Sequence, residues 1–347
     1  MKLTIGFIGF GKSTNRYHLP YVLLRDNINV KTIFNRSRKK DLEDLYSKKD
    51  ITFTADLEDI LLDEEIQLVS ICTPHNTHFQ YAKQCLEHNK HVLVEKPFAF
   101  TADEAQELLK LAKEKNLVVM PFQNRRFDSD FLAIKKVIKE KLAGDVIEIE
   151  SHFDYYRPDY PDFKGSVYEG AFYGLAVHLI DQAVSLFGKP SKVYYDIRAV
   201  RNRNNPDDYY HVELFYDHFK MIVKTNHLVA APYPKFIVHG TKGSFIKYGI
   251  DKQEECLKAG MSPSDHGFGV DPEEKYGRLV LIDEKGKAQE EIIPTPLGDY
   301  GKVYDHLFDV IVKHAKKLVS DEEILTVVQI LEAGVTGENP KILELAD

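Results

Sequence analysis

The residues Gly9-Phe10-Gly11-Lys12-Ser13-Thr14 follow directly on an apolar run, Leu3–Ile8. Two of these glycines match the start of the dinucleotide fingerprint GxGxxG, with Thr14 where the third glycine falls. In that pattern the first glycine permits a tight turn. The second lets backbone N–H groups approach a pyrophosphate at a helix N-terminus. The same stretch also spells a nucleoside-triphosphate P-loop: Gly6, four residues, then Gly11-Lys12-Ser13. A P-loop must curl where Ile5–Ile8 reads as strand, and no neighbouring apolar run ends in a magnesium-binding Asp. The dinucleotide is the stronger reading, and an NTPase the remote one. A second apolar run ends in Phe34-Asn35-Arg36-Ser37-Arg38, where an NAD site wants Asp or Glu for the ribose 2′-hydroxyl. Arg36 with Ser37, joined by Arg38, suits a 2′-phosphate instead, because a guanidinium presents a planar fork. NADP is therefore expected over NAD, the alternative being a solvated basic helix start.

Two further motifs end apolar runs: Cys72-Thr73-Pro74-His75-Asn76-Thr77-His78 and Glu95-Lys96-Pro97. Together with Gly9-x-Gly11 they make the chain resemble the glucose–fructose oxidoreductase / inositol dehydrogenase (Gfo/Idh/MocA) family. The resemblance covers nearly the whole length, including Asn124-Arg125-Arg126-Phe127 and the stretch bearing His178. It is nearest to NADP-linked polyol or sugar dehydrogenases. It implies hydride transfer between a secondary alcohol or ketone of a sugar or polyol, such as an inositol, and a nicotinamide cofactor. It implies catalytic roles for Lys96 and His178 and a cis peptide before Pro97. The implied cofactor contacts are Gly9, Phe10, Gly11, Lys12, Ser13, Asn35, Arg36 and Ser37 on one side, and Thr73, Pro74, Asn76, His78, Glu95 and Lys96 on the other.

Such roles make physical sense. A hydride leaves an alcohol carbon more easily as the O–H proton departs, so a cation and a base must meet that oxygen. Lys96 can donate to it, and His178 can take the proton. The family pattern places Asp four residues before this histidine, on the same helix face. Here that position is Gly174, so the usual carboxylate is missing. Glycine inside a helix costs about 1 kcal/mol against alanine, which suggests a close approach there. The same absence motivates a second reading, a non-catalytic NADP-binding regulator. Softer substrate candidates are Asn124 and Arg126, Tyr156 within Asp154-Tyr155-Tyr156-Arg157, and Tyr173 beside Gly174.

The elements that must carry these residues alternate at first between strand and helix. Leu3–Ile8, Val30–Phe34, Ile51–Phe53, Gln67–Ile71, His91–Val94 and Leu117–Met120 read as buried parallel strands. Helical stretches such as Asn76–Glu87 and Thr101–Lys115 lie between them, the second opening on a capping box, Thr101-Ala102-Asp103-Glu104. This is the α/β pattern of a doubly wound Rossmann sheet. Beyond it come a helix at Ser129–Leu142 and a strand near Val146–Phe153. An apolar helix at about Ala171–Phe187 precedes five strands between Lys192 and Tyr248, with short turns that imply antiparallel pairing. Two closing helices follow, the last opening on Ser320–Glu323. The expectation is a dinucleotide-binding domain over 1–122. A substrate-binding and oligomerisation α+β domain with a large, mainly antiparallel open sheet follows over 123–347.

Composition closes off other classes. The 347 residues carry 46 Lys plus Arg against 54 Asp plus Glu, a formal charge of −8. That acidity disfavours a nucleic-acid surface, which clusters cations. Three cysteines without CxxC spacing and fourteen histidines without HExxH argue against a disulfide framework or a metal site. No run approaches the roughly 20 apolar residues of a membrane span, and the N-terminus lacks a signal-peptide cleavage site. A cytoplasmic protein with a small-molecule partner is expected. Alternating Val, Ile and Phe between Lys192 and Tyr248 suggest an apolar sheet face, and with the resemblance a homodimer or homotetramer.

Overall fold

The computed structural model describes residues 2–159, 161–162 and 164–345. The chain divides into two compact units. The first comprises Met1–Asn124, Glu254–His266 and Tyr300–Val328; the second comprises Arg125–Gln253, Gly267–Asp299 and Gln329–Asp347. Two late segments thus return to the first unit, including the helix Lys302–Lys313.

The first unit is built on strands β1 (Leu3–Ile8), β2 (Ile28–Phe34), β3 (Thr52–Thr54), β4 (Leu68–Ile71), β5 (His91–Val94) and β6 (Val119–Pro121). All pair in parallel, in the order β3-β2-β1-β4-β5-β6, which is the doubly wound arrangement. The apolar side chains of β1, β4 and β5 are almost wholly buried, as a sheet covered on both faces requires. Gly6 lies inside β1, paired with Thr32 and Val69, so no phosphate-cradling loop forms there. A side chain at that position would press on Ile60 and Ile66 at 3.2–3.3 Å. The P-loop reading fails because β1 continues through its first glycine.

Helix Ala102–Glu114 is capped by Thr101, whose hydroxyl oxygen accepts from Glu104 N at 3.2 Å. The Glu104 carboxylate takes Phe100 N rather than Thr101 N, so the reciprocal half of the box is displaced by one residue. At the last helix, Asp321–Val335, the box is complete between Ser320 and Glu323.

The second unit holds a nine-stranded sheet. Its strands are β7 (Val146–His152), β8 (Lys192–Arg198), β9 (Tyr209–Phe215), β10 (Lys220–Asn226), β11 (Phe236–Gly240), β12 (Gly243–Lys247), β13 (Gly277–Ile282), β14 (Ala288–Ile293) and β15 (Lys341–Glu344). Their order is β14-β13-β12-β11-β7-β10-β9-β8-β15. Every pair is antiparallel except the central β7–β10 pair. The sequence reading missed β13, β14 and β15. β14 carries Glu290 and Glu291 and is exposed almost throughout, so it has no apolar signal. A charged edge of this kind also resists pairing with another chain.

The apolar positions expected to form an open face mostly turn inward: Val193, Tyr195, Val212, Leu214, Met221 and Val223 are buried. Facing the other way, Lys220 meets Glu213 at 2.9 Å and Glu148 at 3.6 Å, and His211 lies 3.0 Å from Glu213. That face is mixed: the period-2 alternation places Ile222, Ile237 and Ile246 beside Glu213 and Glu150 on it. Loss of the Thr101 cap is a test of the helix energetics. Thr101→Ala is expected to lower unfolding stability by about 1 kcal/mol and Thr101→Ser to restore most of it, read by urea denaturation.

Candidate active site

The glycine turn is fixed by a steric constraint. Gly9 has φ +103°, and a Cβ there would stand 2.5 Å from the carbonyl oxygen of Cys72, just past β4. Glycine is therefore required both for the backbone conformation and for the close approach of β1 to β4. Thr14, in place of the third glycine, is fully buried, and its hydroxyl donates to the Gly9 carbonyl at 2.7 Å. Phe10 is clamped through its backbone: its N–H donates to Asn35 Oδ1 at 3.1 Å, and its carbonyl accepts from Lys39 Nζ at 2.8 Å. The Phe10 ring is buried against Phe53 and Tyr46, so only its main chain can serve a ligand. Beside Gly11 a Cβ would meet nothing within 4 Å. That open space, next to the first-turn N–H groups of the helical run 12–22, fits a pyrophosphate.

At the end of β2, Arg36 and Ser37 are exposed, and the Arg36 guanidinium has no partner among the described residues. Arg38 behaves differently. It forms a bidentate pair with Glu43, at 2.8 and 2.5 Å, and that pair pulls the Glu43 carboxyl below its ordinary range. The basic cluster thus reduces to one available fork, Arg36.

Past β4, Thr73 is half-buried, while Pro74 and Asn76 are exposed on a short 3₁₀ turn. His78 is buried, with Nδ1 2.8 Å from the Pro97 carbonyl and Nε2 3.0 Å from that of Thr73. Burial lowers its pKa against the two carbonyls, which favour the charged ring; the neutral ring can donate to only one of them. The Lys96–Pro97 peptide is cis, as the resemblance implies.

A buried polar cluster surrounds Glu95. Its Oε1 receives the Ser13 hydroxyl and lies 3.0 Å from His18 Nε2; its Oε2 receives the backbone N–H of Lys96 at 3.1 Å. The other nitrogen of His18, Nδ1, lies 2.6 Å from the Tyr304 hydroxyl. Burial opposes charge on both partners, yet the Glu95 carboxyl is pulled down to about 2 by His18, Lys96 and Ser13. Burial likewise opposes charge on His18, but Cys72, Tyr304 and Glu95 hold its pKa well above the ordinary value. The sequence reading missed His18 and Tyr304. A histidine seven residues after Gly11 was the one local signal; Tyr304 lies 286 residues from His18.

In the second unit, the helix Val177–Phe187 carries His178, 4% exposed, and is entered through a π-helical turn, Phe172–Ala176. Apart from its chain neighbours and its own helix's backbone, no atom lies within 4 Å of where a Gly174 Cβ would stand. The close approach expected of this glycine is absent among the described residues, and the missing side chain leaves open space instead. A carboxylate does reach the start of this helix, from elsewhere. Asp207, in the loop between β8 and β9, accepts from Phe172 N at 2.6 Å, and its own carbonyl accepts from Ala171 N at 2.8 Å. Burial, with Asp208 beside it, raises the Asp207 pKa to about 7.

The softer substrate candidates fall in varied settings. Asn124 is buried on a 3₁₀ turn, and Arg126 is buried in a bidentate pair with Asp181, 2.8 Å at each bond. Tyr173 is wholly buried, edge-on to Tyr168, and Tyr156 is 60% exposed. Among the described residues no group of three or more His, Cys, Asp or Glu could hold a metal, and no helix is long and apolar enough to cross a membrane.

A six-stranded parallel sheet with a glycine turn after its first strand, joined to a second α/β unit, defines the class as a dinucleotide-binding oxidoreductase. The chain belongs to the Gfo/Idh/MocA oxidoreductase family. Residues 3–123 match its NAD-binding Rossmann fold and residues 135–341 its C-terminal alpha/beta domain. An uncharacterised oxidoreductase of Escherichia coli K12, YhhX, is 51% identical across all of both chains. The scyllo-inositol 2-dehydrogenase (NADP(+)) IolW of Bacillus subtilis 168 is 34% identical over 98% of this chain and 94% of its own. A crystal structure of an oxidoreductase from Bacillus cereus superposes with a TM-score of 0.97 at 51% identity, covering 100% of this chain and 99% of that one.

The pH behaviour of Asp207 follows from its raised pKa. The folded state holds this proton more tightly than the unfolded state, where the value is near 3.8, so stability falls as pH rises from about 4 through 7. Asp207→Asn keeps the acceptor for Phe172 N without the charge. It is expected to raise the melting temperature at pH 8 and leave it unchanged at pH 4, measured by calorimetry.

Proposed function

We propose that the protein is an NADP-dependent dehydrogenase or reductase acting on a secondary alcohol or ketone of a sugar or polyol. The observation that carries this reading is the Glu95 carboxylate, which joins the Ser13 hydroxyl of the glycine turn to the peptide of Lys96. Phosphate recognition and an ammonium group are thereby held at the carboxyl ends of β1 and β5, on either side of β4, where ligands bind in this fold.

Gly9, Gly11 and the first turn of the helical run 12–22 would hold the pyrophosphate, and Arg36 with Ser37 the 2′-phosphate. Asn35, in the place of an acidic residue, gives the 2′-phosphate no like charge to meet. A nicotinamide dinucleotide held there would supply the acceptor for the hydride of the alcohol carbon. Lys96 donates a hydrogen bond to the alcohol oxygen and stabilises the negative charge that grows on it. His178 takes the departing hydroxyl proton. The name of the Bacillus subtilis relative supports both the cofactor and a cyclitol as substrate class. A second reading, an NADP-binding regulator without turnover, is favoured by Gly174 and its open surroundings.

Reduced-nicotinamide absorbance with a panel of inositols and aldoses separates the two: turnover supports the enzyme, and tight NADPH binding without turnover supports the regulator. Lys96→Met is expected to lower kcat by roughly 100- to 1,000-fold, as for loss of one oxyanion donor, with a far smaller loss of NADPH affinity. Arg36→Ala is expected to weaken NADPH binding by roughly 10- to 100-fold, the loss of a charge-assisted bond, and to leave NADH binding unchanged. Equal loss for both nucleotides would remove Arg36 from the 2′-phosphate.

A further inference from the structure

His18 has a position that the chemistry above does not use. It is fully buried at the end of the π-helical turn Thr14–His18, against Phe122 at 4.0 Å between ring centres and edge-on to Phe7. The groups facing it are Glu95 from the end of β5, Tyr304 from the helix Lys302–Lys313 and Cys72 from the end of β4. A carboxylate buried among apolar rings is costly unless donors surround it. Glu95 has three: the Ser13 hydroxyl, His18 Nε2 and the Lys96 amide.

The backbone explains what those donors achieve. Glu95 N–H still donates to Ile71, the last rung of the β5–β4 ladder. The next N–H, that of Lys96, lies beyond the strand and is received by the Glu95 side chain. The orientation of that carboxylate therefore bears directly on the course of the backbone at Lys96.

We propose that His18 is a positioning residue for Lys96. Backed by the Tyr304 hydroxyl, it fixes the rotamer of Glu95 so that one oxygen meets Ser13 and the other the Lys96 amide. The glycine turn and the lysine are then set by a single carboxylate. Without His18, Glu95 turns or takes up a proton, and both lose their common reference. The inference rests on the role given to Lys96 in the proposed function.

The test uses the full-length protein with His18→Leu, which removes both ring nitrogens, and His18→Gln, whose amide can still donate to Glu95. The expected result is a fall in kcat on the order of 100-fold in His18→Leu, the scale of a small misplacement of a reacting group. NADPH affinity should fall far less, and His18→Gln should recover most of kcat. Should His18→Leu fail to fold, Tyr304→Phe withdraws the support on Nδ1 and is expected to give a smaller loss of the same kind. Unchanged kcat in the folded variants overturns the proposal while the dehydrogenase reading stands.

A second readout needs no substrate: the rate at which Lys96 is acetylated by acetic anhydride, relative to the other lysines, followed by mass spectrometry. It should change several-fold in His18→Leu and return in His18→Gln. Unchanged labelling overturns the positioning role; changed labelling in a protein that turns over no polyol supports it and rejects the dehydrogenase reading alone.

Discussion

Everything in the cofactor half of the molecule depends on how closely β1 comes to β4 where both strands end. The Cys72 carbonyl occupies the space a side chain at Gly9 would need, so the chain can turn there only without a Cβ. That contact lets Gly9 N–H complete its bond to Phe34 on one side while Cys72 N–H reaches Ile8 on the other. The turn is thus held from both flanking strands, and the helical run behind it starts from a fixed point. Thr14 completes the anchor by bonding the same glycine's carbonyl. A hydroxyl directed inward does here what a third glycine would do by absence: it lets the helix sit firmly against the strand.

The two units handle buried charge differently. Around Glu95, three donors from two segments, the helical run 12–22 and Lys96 just past β5, converge on one carboxylate and keep it ionised in spite of burial. At Asp207 the helix start supplies a single side-chain bond, burial dominates, and the carboxyl holds its proton to about pH 7. The contrast is one of donor count. A buried carboxylate with several hydrogen-bond donors and a cation stays charged; one with a single amide beside a second Asp does not. Arg126 and Asp181 show the third solution, a bidentate pair in which each charge answers the other.

Much of the first unit was legible because its signals are local. Six apolar runs, the Gly9-x-Gly11 spacing and Glu95-Lys96-Pro97 lie within single segments, and the sheet order follows from the right-handed crossovers that join them. The tyrosine behind His18 was not legible, because 286 residues separate it from its partner and nothing in Tyr304's neighbourhood marks a buried contact. Asp207 escaped for a similar reason: it belongs to a loop, and only the fold brings it to the start of another element. Arg38 looked like Arg36 in sequence, yet Glu43, five residues on, takes its charge. The edge strands β14 and β15 were missed because solvent, rather than a core, faces much of their surface, so alternation carries little information there.

His18 ends one widened turn, Thr14–His18, and His178 closely follows another, Phe172–Ala176. A π turn is an α-helix holding one residue more than its hydrogen-bond pattern normally allows. Removing one residue from 14–18 would return the segment to the ordinary pitch, and the widened turn that ends at His18 would be lost. The length of this segment is as much a part of the site as any side chain, because it sets where His18 meets Glu95.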